Sequence, residues 1–290
     1  MGVVYVKKWT CSILSFVLLT VSTFFPNKQL DIKGDIIQNA ISFFLGINVQ
    51  ETSKQIYIDL VPDEIPQDMQ IQIENINASI LKEDFKIKKA NSVLIYHTHS
   101  DEAFLKGKQD YVETSVGRTK NQDYSIIKVG DTFKTSLQNL GFNVIHDKTD
   151  NVRNGFYNAY DTSYQTIKQY IGKVDIYVDV HRDAYSGKEP NFVSNNGQEY
   201  AYIAFVVANG ENYKVKPNWQ ENYKLAKILT DKLNELCPGI CKGIIFKDKR
   251  FNQHVSDSCL LIEMGNEKNT LMQVEASASL VSLAFSQVFN

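Results

Sequence analysis

Residues 93–102 read Val93-Leu94-Ile95-Tyr96-His97-Thr98-His99-Ser100-Asp101-Glu102. A short apolar run of this kind is consistent with a strand buried on both faces, the type found in parallel sheets. It stops abruptly in two histidines and two acids, in a chain with only five histidines. In open α/β sheets, functional groups gather just beyond the carboxyl ends of the strands.

The pattern on either side supports that reading. Ile126, Val129, Phe133, Leu137 and Leu140 recur at helical spacing, and Gly141 is a natural stop. Asn143–Ile145 predicts a short strand, 158–171 a polar helix, and Asp175–Val180 an apolar strand broken by Asp179. Ala201–Ala208 predicts another strand, and Leu225, Ile228, Leu229, Leu233 and Leu236 line an amphipathic helix. Gly243–Phe246 and Cys259–Ile262 are two more strands, before a last helix lined by Val274, Val281, Phe285 and Val288. Strands alternating with helices imply an α/β fold, a mostly parallel sheet flanked by helices.

The 290 residues suffice for one sizeable domain plus an appendage. Basic residues number 31 and acidic ones 33, with no basic block beyond the first few positions, so a nucleic-acid partner is not expected. Lys7 and Lys8 precede an uncharged stretch from Trp9 to Phe25 that ends at Pro26. As a helix it would span about 25 Å, close to a bilayer core. Small residues in a cleavage pattern are missing, so 1–26 is expected to be an uncleaved signal-anchor with Lys7 and Lys8 cytoplasmic. Residues 27–90, with Pro62 and Pro66 and only weak alternation at Gln55–Leu60 and Gln70–Ile73, are expected to be a juxtamembrane spacer. Residues 91–290 form the expected main domain. Cys237 and Cys241 bracket Pro-Gly-Ile and are open to two readings, a disulfide or simple thiols.

Three strands run into ionisable residues: the first into His97-Thr98-His99-Ser100-Asp101-Glu102, the second into His181-Arg182-Asp183, the third into Glu263-Met264-Gly265-Asn266. Two imidazoles and a carboxylate around a cation, with a further carboxylate to move a proton, are what a zinc hydrolase needs. His99-x-x-Glu102 is a short ligand pair. His97 and His99 share a face only if the pleat continues that far; once the chain turns, one faces the site and the other supports it. His146 and His254 read as structural and loop residues. Arg182 and Asp183 either orient His181, grip a substrate carboxylate, or pair with each other in solvent.

Taken in order, IYHTHSDEAF, VDVHRDA and NQHVSDSCLLIEMGNEKN resemble the stage II sporulation protein P family, over roughly 91–290 and in the general layout of an N-terminal anchor. The resemblance implies an amidase-like three-layer domain. It implies a membrane-anchored, zinc-dependent peptidoglycan hydrolase similar to N-acetylmuramoyl-L-alanine amidases, with endopeptidase cleavage of cross-links as a companion activity. Matched motif by motif, the metal histidines fall on His99 and His181 and the catalytic glutamate on Glu263. Glu102 stands in as third ligand, with Glu113 and Asp123 as alternatives, because no Glu opens the helix after the first strand. Arg182 is expected to stabilise an oxyanion or bind peptide, and His97 to lie behind the ligands. The resemblance also implies action in sporulation engulfment, in the septal space between mother cell and forespore, with stage II sporulation proteins D and M as partners. Two competing readings are a catalytically silent wall-binding scaffold and a zinc carboxypeptidase.

Overall fold

The apolar run at 93–96 is strand β1, Ser92–Tyr96, with every residue after Ser92 buried. It pairs in parallel with β2, Asn143–His146, on one side and with β3, Ile176–Asp183, on the other. The chain continues through β4 (Phe192–Asn195), β5 (Gln198–Ala201), β6 (Ile203–Ala208), β7 (Cys241–Lys247) and β8 (Cys259–Asn266). The six-stranded sheet has the order β2-β1-β3-β8-β6-β7, while β4 and β5 form a separate antiparallel hairpin. The sheet is mostly parallel, but β6 runs antiparallel to β8 and carries β7 with it. This computed structural model describes residues 67–81, 89–105, 117–184, 191–209 and 218–290. All of them belong to one compact unit, Val61–Asn290. The expected anchor, residues 27–66 and 82–88 of the expected spacer, and Glu113 lie outside the described residues. Among those described, no helix is long and apolar enough to cross a membrane.

Five α-helices accompany the sheet in the described residues: α1 (Gln67–Leu81), α2 (Ile126–Asn139), α3 (Ala159–Ile167), α4 (Trp219–Leu236) and α5 (Leu271–Phe289). The ends of α2 follow from local chemistry. Ser125 caps its start by accepting the Ile127 N–H, and Gly141, at φ +93°, turns the chain away after Leu140. At α5 the Thr270 and Gln273 side chains cap each other's backbone N–H groups reciprocally.

Alternation along the strands divides the core in two. Val93, Ile95, Val178, Val180, Leu260 and Ile262 meet Phe133, Leu229 and Phe285 in the larger cluster, under α2, α4 and α5. Leu94, Tyr96, Tyr177 and Cys259 face the other way, under Ile167 and Tyr164 of α3. The second side is thin, because α3 has only nine residues. The site forms on this side.

Four expectations change in detail. Strands β3 and β8 run on through His181 and Glu263 because their ladder continues, with Val180 opposite Ile262 and His181 opposite Glu263. The weak alternation at Gln70–Ile73 belongs to helix α1, whose Ile76 is buried in the larger cluster and whose Asn77 accepts from the Tyr223 hydroxyl at 2.9 Å. Packing against α4 overrides a pattern too weak to specify an element on its own. The hairpin β4–β5 was not foreseen. Cys237 and Cys241 are separate, buried free thiols, the first at the end of α4 and the second opening β7.

Candidate metal centre

The register of β3 on β8 makes the site. His181 lies directly opposite Glu263, so the two side chains leave the same face of the sheet. Asp179, two residues before His181, shares that face and is fully buried. On the neighbouring strand the pleat ends at Tyr96, and 98–100 form a turn. That turn separates the two histidines of the opening motif. His97 keeps the pleat and points to the opposite side, with Nδ1 2.9 Å from the Val180 carbonyl. His99 swings onto the site, 5.1 Å from the His181 ring between centroids, and stacks on Phe156 at 4.4 Å.

Glu102 reaches the site after one turn of chain. Its N–H donates to the His99 carbonyl at 3.2 Å, and its own carbonyl accepts the Ile126 N–H that opens α2. The carboxylate sits between the two imidazoles, Oε1 3.5 Å from His99 Nδ1 and Oε2 3.6 Å from His181 Nδ1. His99, Glu102 and His181 each present a ligand atom, and all three atoms lie within 4.8 Å of one another. These separations are too long for good hydrogen bonds. They approach the edge of a tetrahedron built on bonds of about 2.0–2.1 Å, roughly 3.3 Å. Two imidazoles and one carboxylate are also the donor set of catalytic zinc sites. The residues therefore fit zinc. Asp123 does not join them; it is exposed in the turn Gln122–Tyr124.

Asp179 is the residue that motif reading passed over. Its Oδ1 accepts the Thr98 N–H at 2.8 Å and its Oδ2 the Thr98 hydroxyl at 2.6 Å. The same Oδ1 lies 3.0 Å from His181 Nε2, an ion-pair distance although the ring N–H is not aligned for a good hydrogen bond. A carboxylate behind a ligating imidazole holds the proton on the far nitrogen and leaves the near one, here Nδ1, for the metal. The signal was visible: Asp179 was the one charged residue interrupting an apolar strand, two residues before a histidine.

The charges fit together. Burial opposes a proton on His181, yet Asp179 and Glu102 outweigh it and hold the imidazole well above its usual value. Burial likewise opposes charge on Glu102, but His181 and His99 hold it well below the usual carboxylate range. Glu263 goes the other way. Burial, with Glu102, Asp183 and Asp179 adding to it against the pull of His181, pushes it up to about 8. Its Oε2 is covered and has no hydrogen-bond partner among the described residues, while the residue as a whole is half-buried. Tyr160 completes the wall, its ring 13° from parallel with His181 and edge-on to His99.

Arg182 is held by its neighbours. Its N–H donates to Glu102 Oε2 at 3.0 Å, and its guanidinium donates to Glu267 at 3.2 Å and to the Gly117 carbonyl at 2.7 Å. An oxyanion contact would require the guanidinium to leave these partners. His254 lies half-buried against Tyr164, 5.4 Å between ring centroids, and Tyr164 in turn packs on the thin-side core.

Comparison with known proteins places the chain in a family. The family profile described as stage II sporulation protein P matches residues 35–286. A curated relative, stage II sporulation protein P of Bacillus subtilis (strain 168), is 29% identical over 214 residues, covering 68% of this chain and 51% of the relative. The chain thus matches about half the length of that relative. Among solved structures, an N-acetylmuramoyl-L-alanine amidase from Clostridium difficile 630 is similar at 14% identity and a TM-score of 0.42, covering 69% of this chain and 95% of that one. The amidase AmiC2 of Nostoc punctiforme is similar at 11% identity and a TM-score of 0.41, covering 70% and 97%.

Proposed function

Because the chain belongs to the stage II sporulation protein P family, we propose that it is a zinc-dependent peptidoglycan hydrolase acting in sporulation engulfment, which cleaves the amide between the muramoyl lactyl group and L-alanine. Peptide cross-links, also amides, are a second substrate for the same centre. One observation carries the reading: His99, Glu102 and His181 converge beside Glu263, whose buried oxygen has no hydrogen-bond partner among the described residues.

His99, Glu102 and His181 would hold the zinc, with Asp179 fixing the His181 ring. The chemistry zinc supplies when bound is polarisation of a carbonyl oxygen and acidification of water. Glu263 takes a proton from the attacking water and delivers it to the departing nitrogen, so that water and amide give a carboxylic acid and an amine. Burial raises the proton affinity of the Glu263 carboxylate above that of an exposed one, which makes it the stronger base. Tyr160 and Phe156 shield the histidines on the side of α3. The Arg182 backbone N–H orients Glu102, and its guanidinium ties the end of β3 to Gly117.

The reading extends to location and partners. Residues 1–26 would anchor the domain at 91–290 on the outer side of the cell membrane, in the mother-cell/forespore septal space. Stage II sporulation proteins D and M are its expected companions there, and co-purification from solubilised sporulating membranes tests that complex.

Digestion of purified peptidoglycan, with and without a chelator, tests the activity. The expected products are glycan strands freed of intact stem peptides, lost with chelator and restored by zinc. Shortened stems still attached to glycan would mean a carboxypeptidase. No release with zinc bound would mean a scaffold.

A further inference from the structure

A second group of titratable side chains lies on the opposite side of the sheet from the metal centre. His97 Nδ1 is 2.9 Å from the Val180 carbonyl, and His97 Nε2 is 2.8 Å from His146 Nε2. His146 Nδ1 is 3.0 Å from Asp131 Oδ1, and Asp131 Oδ2 accepts from Lys148 at 2.8 Å. The His97 side chain is fully buried and that of His146 is 1% exposed. No element of the proposed chemistry uses His146 or Asp131.

The chain is built rather than incidental. His146 stands opposite Ile95 in the ladder of β1 on β2, so it faces the same side as His97. Gly130, within α2, packs over the point where the two imidazoles meet. A Cβ there would lie 2.5 Å from His146 Nε2 and 2.6 Å from His97 Nε2. Glycine inside a helix costs up to about 1 kcal/mol relative to alanine. Here it leaves the space through which the two rings reach each other.

What the chain holds is the backbone of the metal centre. His97 is two residues before His99, and Val180 is the residue before His181. The His97 imidazole therefore links the end of β1 to the end of β3, the two segments that deliver the histidine ligands. The His97 carbonyl is also taken, by the Asn151 side chain at 2.9 Å. We propose that Asp131, His146 and His97 form a positioning chain that sets the spacing of His99 and His181 from behind the sheet. Asp131 and the Val180 carbonyl both accept, so the chain needs three ring protons. A doubly protonated His146 donates from Nδ1 to Asp131 and from Nε2 to His97, and His97 Nδ1–H donates to the Val180 carbonyl. The Asp131 carboxylate balances the charge that burial of His146 opposes. None of the three touches the reacting atoms. The proposal rests on the reading of His99 and His181 as zinc ligands.

The test uses the full 290-residue chain. Zinc affinity is measured by competition with a chromophoric chelator, and ligand geometry from the visible spectrum of the cobalt-substituted protein. Gly130→Ala should push the imidazoles apart without removing either, and should weaken zinc binding about tenfold or more. His146→Leu should do the same, whereas His146→Gln, which can still donate an amide N–H to His97, should recover most of the affinity and the parental cobalt spectrum. Far-UV circular dichroism controls for folding, and the His146 pair carries the test if Gly130→Ala does not fold. Leu and Gln variants that both bind zinc like the parent overturn the proposal, and so does an equal loss in both, which would mean only packing. A parent that binds no stoichiometric zinc would overturn the metal reading itself, together with this proposal.

Discussion

His181 and Glu263 face each other across the pairing of β3 with β8, one on each of two parallel strands. Neither strand places both groups; the register does. The imidazole proposed to hold the metal and the carboxylate proposed to move the proton are thus set opposite each other by one ladder of backbone hydrogen bonds.

Glu263→Gln preserves shape and removes the proposed base. It is expected to bind zinc in the same stoichiometry as the parent while losing at least about a hundredfold in muropeptide release, the usual scale for a lost acid–base group. Release at the parental rate, with elemental analysis confirming the zinc, would remove Glu263 from the mechanism.

The same substitution has a stability signature in the metal-free protein. Folding raises the Glu263 carboxyl from 4.5 to about 8. Between those values the folded chain binds more protons than the unfolded one, so this group's contribution to stability is present at low pH and is lost as pH rises through that window. Glutamine does not titrate. Calorimetry in chelator should therefore show the melting temperature of Glu263→Gln gaining on the parent from pH 4 to pH 8. A difference that stays flat with pH contradicts the raised value.

Asp179→Asn removes the charge behind His181 but keeps the size. Its amide no longer holds a proton on His181 Nε2, so zinc affinity should fall about 10–100-fold. The carboxylate also accepts two bonds from Thr98, so thermal stability should drop as well. Chelator competition at pH 7 and a melting curve separate the two effects, and unchanged affinity would reduce Asp179 to a structural residue.

Core and site should come apart under mutation. Phe133 of α2 meets Phe285 of α5 edge to face at 5.6 Å, both fully buried on the thick side of the sheet. Phe133→Ala should cost about 3–5 kcal/mol in denaturant unfolding. Zinc stoichiometry under native conditions should be unaltered.

The sequence by itself determined the class of fold and the pieces of the site. Periodicity located β1, α2, β3, β6, α4, β8 and α5, because a half-turn or a full turn of chain must bury one face. The motifs named His99, Glu102, His181 and Glu263, and the fold brings these four side chains together. What pairing across the chain contributes was not legible. The antiparallel placement of β6, the hairpin β4–β5 and the docking of α1 depend on contacts between segments far apart in sequence. The same holds for the two histidines of VLIYHTHSDE. Two residues apart on a continuing pleat they would share a face, and only the turn at 98–100 sends His99 to the candidate metal centre and leaves His97 behind the sheet with His146. Asp179 was a lone charge in an apolar run until the fold set it 3.0 Å from His181 Nε2. Local pattern specifies which residues are apolar and which are reactive; the strand register, set by burial on both faces of the sheet, decides which reactive groups meet.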